Sequence, residues 1–306
     1  MRAELAYKIA ALSVLLGCLC GSTRAQLKLT RGDDSLKGPV RTVQIFQKDY
    51  PNTNQPDTKI PRETISYDRQ GRRTETYPGL SENDSATAGK EIYVYDSAAR
   101  LKEIVYYNDE IESSLTTAYD QQNRLVSLFG TGRMSILPWL SSGSDVEMRF
   151  TFTYSDSGQT LRSTVRKKET PKDFPNFMDS TTVYDRNGRV LEEKLFMAGS
   201  LATRQTYTYD ARGYLIRMLE WVPEDHALHQ YFYLNDDHGN AVEIKMYHQP
   251  RHVLERRTLL TYEYDAKGNW IKKTASGWSY AGTPYREGVS KLMPYNVTRR
   301  IITYYN

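Results

Sequence analysis

The stretch YEYDAKGNWIKK, residues 262–273, reads as a strand, a tight turn and a second strand. Tyr262 and Tyr264 flank Glu263, so both rings fall on one face of a pleated strand. Asp265 takes the first turn position, where its carboxylate can accept hydrogen bonds from backbone just downstream. Gly268, three residues on, supplies the positive φ that closes a type I turn with a bulge. Trp270 and Ile271 then open a β-favouring run.

The phrase recurs along the chain. YDRQG (67–71), YDRNG (184–188) and YDARG (209–213) are clear copies. YDSAA (95–99), YDQQN (119–123), YSDSG (154–158) and YLNDDHG (233–239) are variants. Asn123 is the next-best residue for left-handed φ. Ala99 is a poor one, so that turn is expected to close differently. YSDSG displaces its Asp and YLNDDHG is longer, so both are expected to depart from the shared geometry.

Short-period repetition signals an array in which neighbouring units bury each other's faces. The expected fold is all-β, with roughly eight antiparallel β-hairpins forming a curved or spiral open sheet. It is expected to be one domain over 26–306, with an opening strand at 40–46 and a closing one at 297–305. Longer intervals between copies place inserted loops at 130–144, 167–179 and 276–294. An open sheet needs its edges covered, and 47–62 and 276–294 are the candidate covers.

The 24 tyrosines are the compositional outlier. Five incoming strands carry aromatic pairs two residues apart: Tyr93 and Tyr95, Phe152 and Tyr154, Tyr207 and Tyr209, Tyr231 and Tyr233, Tyr262 and Tyr264. These rings can form the packed layer of the array, or a partly exposed platform for sugar rings. Trp139, Trp221 and Trp278 are the candidate binding aromatics.

The first residues read as an export signal. Arg2 and Lys8 precede a short apolar stretch, 9–16, and Thr23-Arg24-Ala25 places small side chains before Gln26. The alternative is a lipoprotein signal over 1–17, with Cys18 as the lipidated residue. Both cysteines, Cys18 and Cys20, lie in this segment, so cleavage after Ala25 leaves no thiol chemistry and no disulfide. The expected location is the periplasm, the outer membrane as a lipoprotein, or the medium. Membrane contact is expected only through a lipid on Cys18.

The formal charge is +4, from 41 basic and 37 acidic residues. Removing 1–25 takes away Arg2, Lys8, Arg24 and Glu4 and leaves +2. That balance gives no electrostatic case for nucleic acid. A glycan or an envelope protein is the expected partner.

The sequence contains no nucleophile elbow, phosphate loop or dinucleotide fingerprint. All five histidines lie between His226 and His252. His226 and His229 follow one strand, and His248 and His252 follow another. In a meander both loops sit at the end opposite the Tyr-Asp turns, so four imidazoles can converge on a zinc ion. His238 lies in a Tyr-Asp turn at the other end. Asn235-Asp236-Asp237 reads as an enlarged turn rather than a calcium loop. No cofactor is otherwise expected.

YEYDAKGNWIKK, YTYDARGYLIRM (207–218) and VYDRNGRVLEEK (183–194) together resemble YD-repeat proteins of the Rhs type. LKGPVRTV (36–43) and TRRIITYY (298–305) resemble short exported bacterial members. The resemblance implies hairpin architecture and export. Large members wind such hairpins into a β-sheet spiral that can form a shell, some around a toxic C-terminal domain, others associated with carbohydrate binding. Compared with these large members, the chain is expected to be too short for a closed shell, with no room for an appended toxin domain after Tyr264. The resemblance brings no catalytic residues.

The leading expectation is a non-enzymatic envelope or secreted binding or scaffold module. Its rivals are a metal-dependent hydrolase on His226, His229, His248 and His252, and a structural fragment of a larger surface assembly.

Overall fold

The computed structural model describes residues 34–49, 61–78, 89–108, 111–133, 145–167, 178–224, 226–249, 253–279 and 293–306. Among these there is no helix. The strands are β1 (Val40–Asp49), β2 (Glu63–Tyr67), β3 (Arg73–Pro78), β4 (Lys90–Tyr95), β5 (Leu101–Asn108) and β6 (Ile111–Tyr119). Next come β7 (Leu125–Arg133), β8 (Asp145–Ser155), β9 (Gly158–Lys167), β10 (Met178–Asp185), β11 (Val190–Met197) and β12 (Ser200–Tyr209). The last six are β13 (Leu215–Val222), β14 (Ala227–Asn235), β15 (Ala241–Gln249), β16 (Val253–Tyr264), β17 (Trp270–Ser279) and β18 (Met293–Tyr304).

Each strand pairs antiparallel with the next, and β18 returns to pair with β1, Val43 facing Ile302 and Ile45 facing Arg300. The sheet is therefore closed. This corrects the expected open spiral. Closure satisfies both edges by joining them, so no cover from 47–62 or 276–294 is needed. The reason lies in the last strand. Tyr304 caps the Asp265 turn from the neighbouring strand, while the following Tyr305 donates its hydroxyl to Tyr67 O at 2.6 Å.

Eight turns of the repeat lie at one rim, together with both ends of the described chain; the Ala198–Gly199 turn lies at the other. The shared turn is a type I turn with a bulge. Gly188 N donates to Asp185 O at 3.0 Å, and Asp185 N to Arg189 O at 2.9 Å. Ala99 closes the same turn with φ 64° and a 2.9 Å bond to Asp96 O, so the expected departure there does not occur. The Asp96 carboxylate holds the loop by accepting from Ala98 N and Arg100 N, which offsets the strain of Ala at positive φ. Asp236 to Gly239 is likewise an ordinary copy, with Asn235 rather than Tyr233 in the tyrosine place. YSDSG does depart. Ser155 pairs directly with Gly158, leaving only Asp156 and Ser157 in the turn.

Residues 130–133, 178–179, 276–279 and 293–294, read from sequence as insertion, belong to strands. The centres of those three loops lie outside the described residues.

Alternation divides the sheet cleanly. On β10, Met178, Ser180, Thr182 and Tyr184 are buried and point inward. Following the pairing from strand to strand carries this inner face through every aromatic pair. From β4 to β10 the inner face is a packed, mainly apolar wall, with Ser163 and Ser180 hydrogen-bonded to each other within it at 2.6 Å. Ile104 and Leu128 are fully buried there among Leu115, Phe150, Phe152 and Leu161. From β11 to β18 the inner residues are mostly half-buried and polar. The outer face carries threonines and cross-strand ion pairs: Lys90 with Glu75 at 2.9 Å, Arg204 with Glu192 at 2.7 Å and Arg257 with Glu243 at 2.6 Å.

Candidate functional site

The inner wall of β11 to β16 carries a row of connected polar groups. Alternation sets the row, because Glu193, Gln205, Glu220, His229 and His248 occupy successive cross-strand positions facing the same side. Tyr207 donates its hydroxyl to the Glu193 carboxylate and also lies 2.7 Å from Gln205 Oε1. Gln205 Nε2 donates to Glu220 Oε1 at 2.7 Å, and Tyr231 donates to Glu220 Oε2 at 3.1 Å. Burial raises the Glu193 carboxyl above its usual range, the Tyr207 bond opposing it. The His229 N–H holds the Glu220 carboxyl below its usual range, helped by Gln205 and Tyr231. One row thus contains one carboxylate pushed toward the neutral form and one held ionised.

The row ends at two imidazoles. His229 and His248 are direct cross-strand partners with ring centres 5.3 Å apart. His229, His248 and Glu255 of β16 bring one ligand atom each within 4.8 Å of one another. Of the four histidines expected to converge, the structure brings His229 and His248 together, on strands rather than in loops. His226 does not join them. It is exposed at φ 49° in the turn after Val222, because its amide closes that turn onto Pro223 O at 3.1 Å. His252 lies outside the described residues. Glu255 and Glu220 were not singled out from sequence. The period-2 pattern could have found Glu220, but Glu255 reaches the cluster through a bulge.

Of the aromatic candidates, Trp221 sits half-buried on the outer face of β13, opposite Arg204 and Leu228. Trp139, Cys18 and the side chain of Trp278 lie outside the described residues. The inner face instead presents Trp270, which the sequence reading passed over as one more strand residue. Arg300 lies over its ring, Cζ 3.4 Å from the centroid, and Lys273 Nζ is 5.5 Å from it. Burial pushes Arg300 down to about 10, and burial with the Arg300 charge lowers Lys273.

A family model described as the teneurin YD-shell matches residues 62–283. The chain belongs to the teneurin YD-shell family. The match runs from the end of the first connection to beyond β17, so it takes in all eight turns. This YD-shell chain matches no curated protein. Solved structures similar to it include a porin-like protein from Bacteroides uniformis, at 11% identity and TM-score 0.41, covering 88% of this chain and 98% of that one. A porin-like protein from Bacteroides vulgatus gives 10% identity, TM-score 0.38, and 87% and 98% coverage. TcdB2-TccC3 without its hypervariable C-terminal region gives 14% identity and TM-score 0.32, covering 70% of this chain and 12% of that one. Membership of the family and the closed sheet together make this YD-shell chain a structural shell module, which corrects the expectation that it is too short to close.

Proposed function

We propose that this chain is an exported, non-enzymatic shell module whose inner wall binds a guest, either a carbohydrate or a segment of an envelope protein. The observation that carries this reading is the asymmetry of the inner face. One half is mainly apolar and closely packed, whereas β11 to β18 line the other half with half-buried tyrosines, Trp270, carboxylates and basic side chains. A ring of this strand number is wide enough to leave space at its centre. Aromatic faces beside carboxylates and amides are the surfaces on which sugars and peptides are held.

The outer face supports a water-facing location. Arg149, Arg162 and Arg204 are exposed on it. In a membrane-spanning barrel an outward Arg or Lys costs about 2–4 kcal/mol at the bilayer midplane. Export rests on the signal-like sequence 1–25 and on the family.

The test is a glycan array and an envelope-protein pull-down with the purified chain, comparing Trp270→Ala and Tyr231→Ala with Trp221→Ala. Loss of binding in the two inner variants alone supports the reading. Loss in Trp221→Ala alone moves the binding surface outside. No binding to either class overturns the guest and leaves a structural part of a larger assembly.

A further inference from the structure

Near the rim opposite the Tyr-Asp turns, two imidazoles and one carboxylate converge. His229 Nε2 lies 4.0 Å from Glu255 Oε2, and His248 Nδ1 lies 3.8 Å from Glu255 Oε1. Both distances exceed a hydrogen bond. They suit donors that flank a common cation, since zinc takes imidazole nitrogen and carboxylate oxygen at about 2.0–2.2 Å. The three ligand atoms already lie within 4.8 Å of one another, so rotamer adjustments alone can close the set.

Two features of the backbone place this group. The register of β15 with β16 shifts between Met246, which faces Arg256, and Tyr247, which faces Leu254. Glu255 is the extra residue of that bulge, and a bulge re-aims a side chain that regular pleating would send to the other face. On the far side, Glu220 Oε2 stands 3.5 Å from His229 Nδ1 and is itself held by Gln205 and Tyr231. An anchored carboxylate behind one imidazole nitrogen favours the tautomer that carries its proton there. The other nitrogen then offers its lone pair to a metal, the arrangement that orients histidine ligands in zinc proteins.

We propose that His229 Nε2, His248 Nδ1 and the Glu255 carboxylate bind one divalent transition-metal ion of the zinc class, with Glu220 as a positioning residue behind His229. The fourth position of a tetrahedral site faces the interior, where a solvent molecule or a donor from a guest can complete it. All three ligands are partly exposed, so an ion reaches them without unfolding the sheet. The proposal stands apart from the guest reading. A chain that binds no glycan and no protein can still bind the metal, and a metal-free chain can still bind a guest.

The test uses the full purified chain, stripped with chelator and titrated with cobalt(II) and then zinc. The readouts are the visible cobalt absorption, the binding stoichiometry and the unfolding midpoint. The expected result is one ion per chain, a cobalt spectrum of tetrahedral type displaced by zinc, and a midpoint raised by the metal. His248→Gln and Glu255→Gln are expected to abolish the cobalt spectrum while keeping the far-ultraviolet circular dichroism of the wild type. Glu220→Gln is expected to weaken affinity about 10- to 100-fold without abolishing it, and His226→Ala to leave it unchanged. Wild-type chain that takes up neither metal overturns the proposal. So does a stoichiometric site that persists in both ligand variants, which would place the ion elsewhere.

Discussion

The guanidinium of Arg124 lies over the ring of Tyr154, Cζ 4.5 Å from its centroid. The same Arg124 closes its own turn by donating Nε to Asp120 Oδ2 at 2.7 Å. One side chain therefore joins the turn of one hairpin to the strand of the next. Tyr154 answers by donating its hydroxyl to Leu125 O, in the hairpin that carries Arg124. Arg72 with Tyr95, Arg100 with Tyr119 and Arg189 with Tyr209 repeat the relationship at 4.6 to 5.1 Å. Where Asn stands in place of Arg, the wiring shortens. Asn240 Nδ2 donates to Tyr264 Oη at 2.8 Å, and Tyr264 donates straight to Asp236.

This ladder predicts that the repeat tyrosines act through their hydroxyls as well as their rings. Tyr209→Phe keeps the ring under Arg189 but removes the 2.8 Å bond to Val190 O. The expected loss is about 0.5–1.5 kcal/mol in a urea titration, the net worth of one hydrogen bond. Arg189→Ala combined with Tyr209→Leu should show a coupling energy of about 0.5–1 kcal/mol, the scale of a partly exposed cation–π contact. A coupling of zero would mean that the stacking is incidental.

The left-handed turn positions should respond in opposite directions to opposite substitutions. Ala99 holds φ 64°, so Ala99→Gly relieves a strain of about 1–2 kcal/mol and should raise the unfolding midpoint. Gly213→Ala adds that strain at φ 87°, with only the Arg189 side chain nearby at 3.6 Å. Gly239→Ala should cost more, because its Cβ would stand 2.6 Å from the Tyr214 ring. Equal losses at 213 and 239 would show that the ring moves aside freely.

The turns and the strand faces were legible because their causes are local. Asp and Gly at fixed spacing set the turn, and alternation put Tyr207 and Tyr209 on one face. Closure was not legible. It depends on β18 meeting β1, whose residues are far apart in sequence, and on Tyr304 and Tyr305 completing a ladder whose rungs had to be seen first. The grouping of His229, His248 and Glu255 was half legible for the same reason. His229 and His248 stand where the meander puts them, whereas Glu255 owes its place to a bulge that no periodicity announces. Reading Tyr233 as the turn tyrosine also misled, since Asn235 fills that place and its Nδ2 makes the bond to Leu215 O that a tyrosine hydroxyl makes elsewhere.

Two classes of carboxylate should give stability opposite dependences on pH. The turn residues Asp96 and Asp120 are lowered, chiefly by the backbone amides of Arg100 and Arg124. Their contribution is complete above the unfolded value of about 3.9 and is lost as pH falls through the folded values. Glu193 is raised by burial, so its contribution is complete below about 4.3 and is lost as pH rises through its folded value. Glu193→Gln should therefore raise the urea midpoint at pH 7 relative to its effect at pH 4. Asp120→Asn should lower the midpoint at pH 7 and lose that effect in acid. Parallel pH profiles for both variants would contradict the assignment.

The seam gives the sharpest test of closure. Asp34, just before β1, accepts both Arg73 contacts at 2.8 and 2.9 Å and the Tyr67 hydroxyl. Asn269 grips the neighbouring Lys37 through its amide and carbonyl at 2.6 and 2.9 Å. An open array would unfold from its ends, with each repeat held only by its neighbours. A closed ring has no end from which to start, so fluorescence and circular dichroism should report one coincident transition. Asp34→Ala leaves Arg73 buried without its partner and should cost about 3–5 kcal/mol. The loss should appear as a shift of the whole transition. A separate early phase in the wild type would show that the ring is not held shut; a cost below about 1 kcal/mol for Asp34→Ala would show that its link to β2 and β3 carries little of the stability.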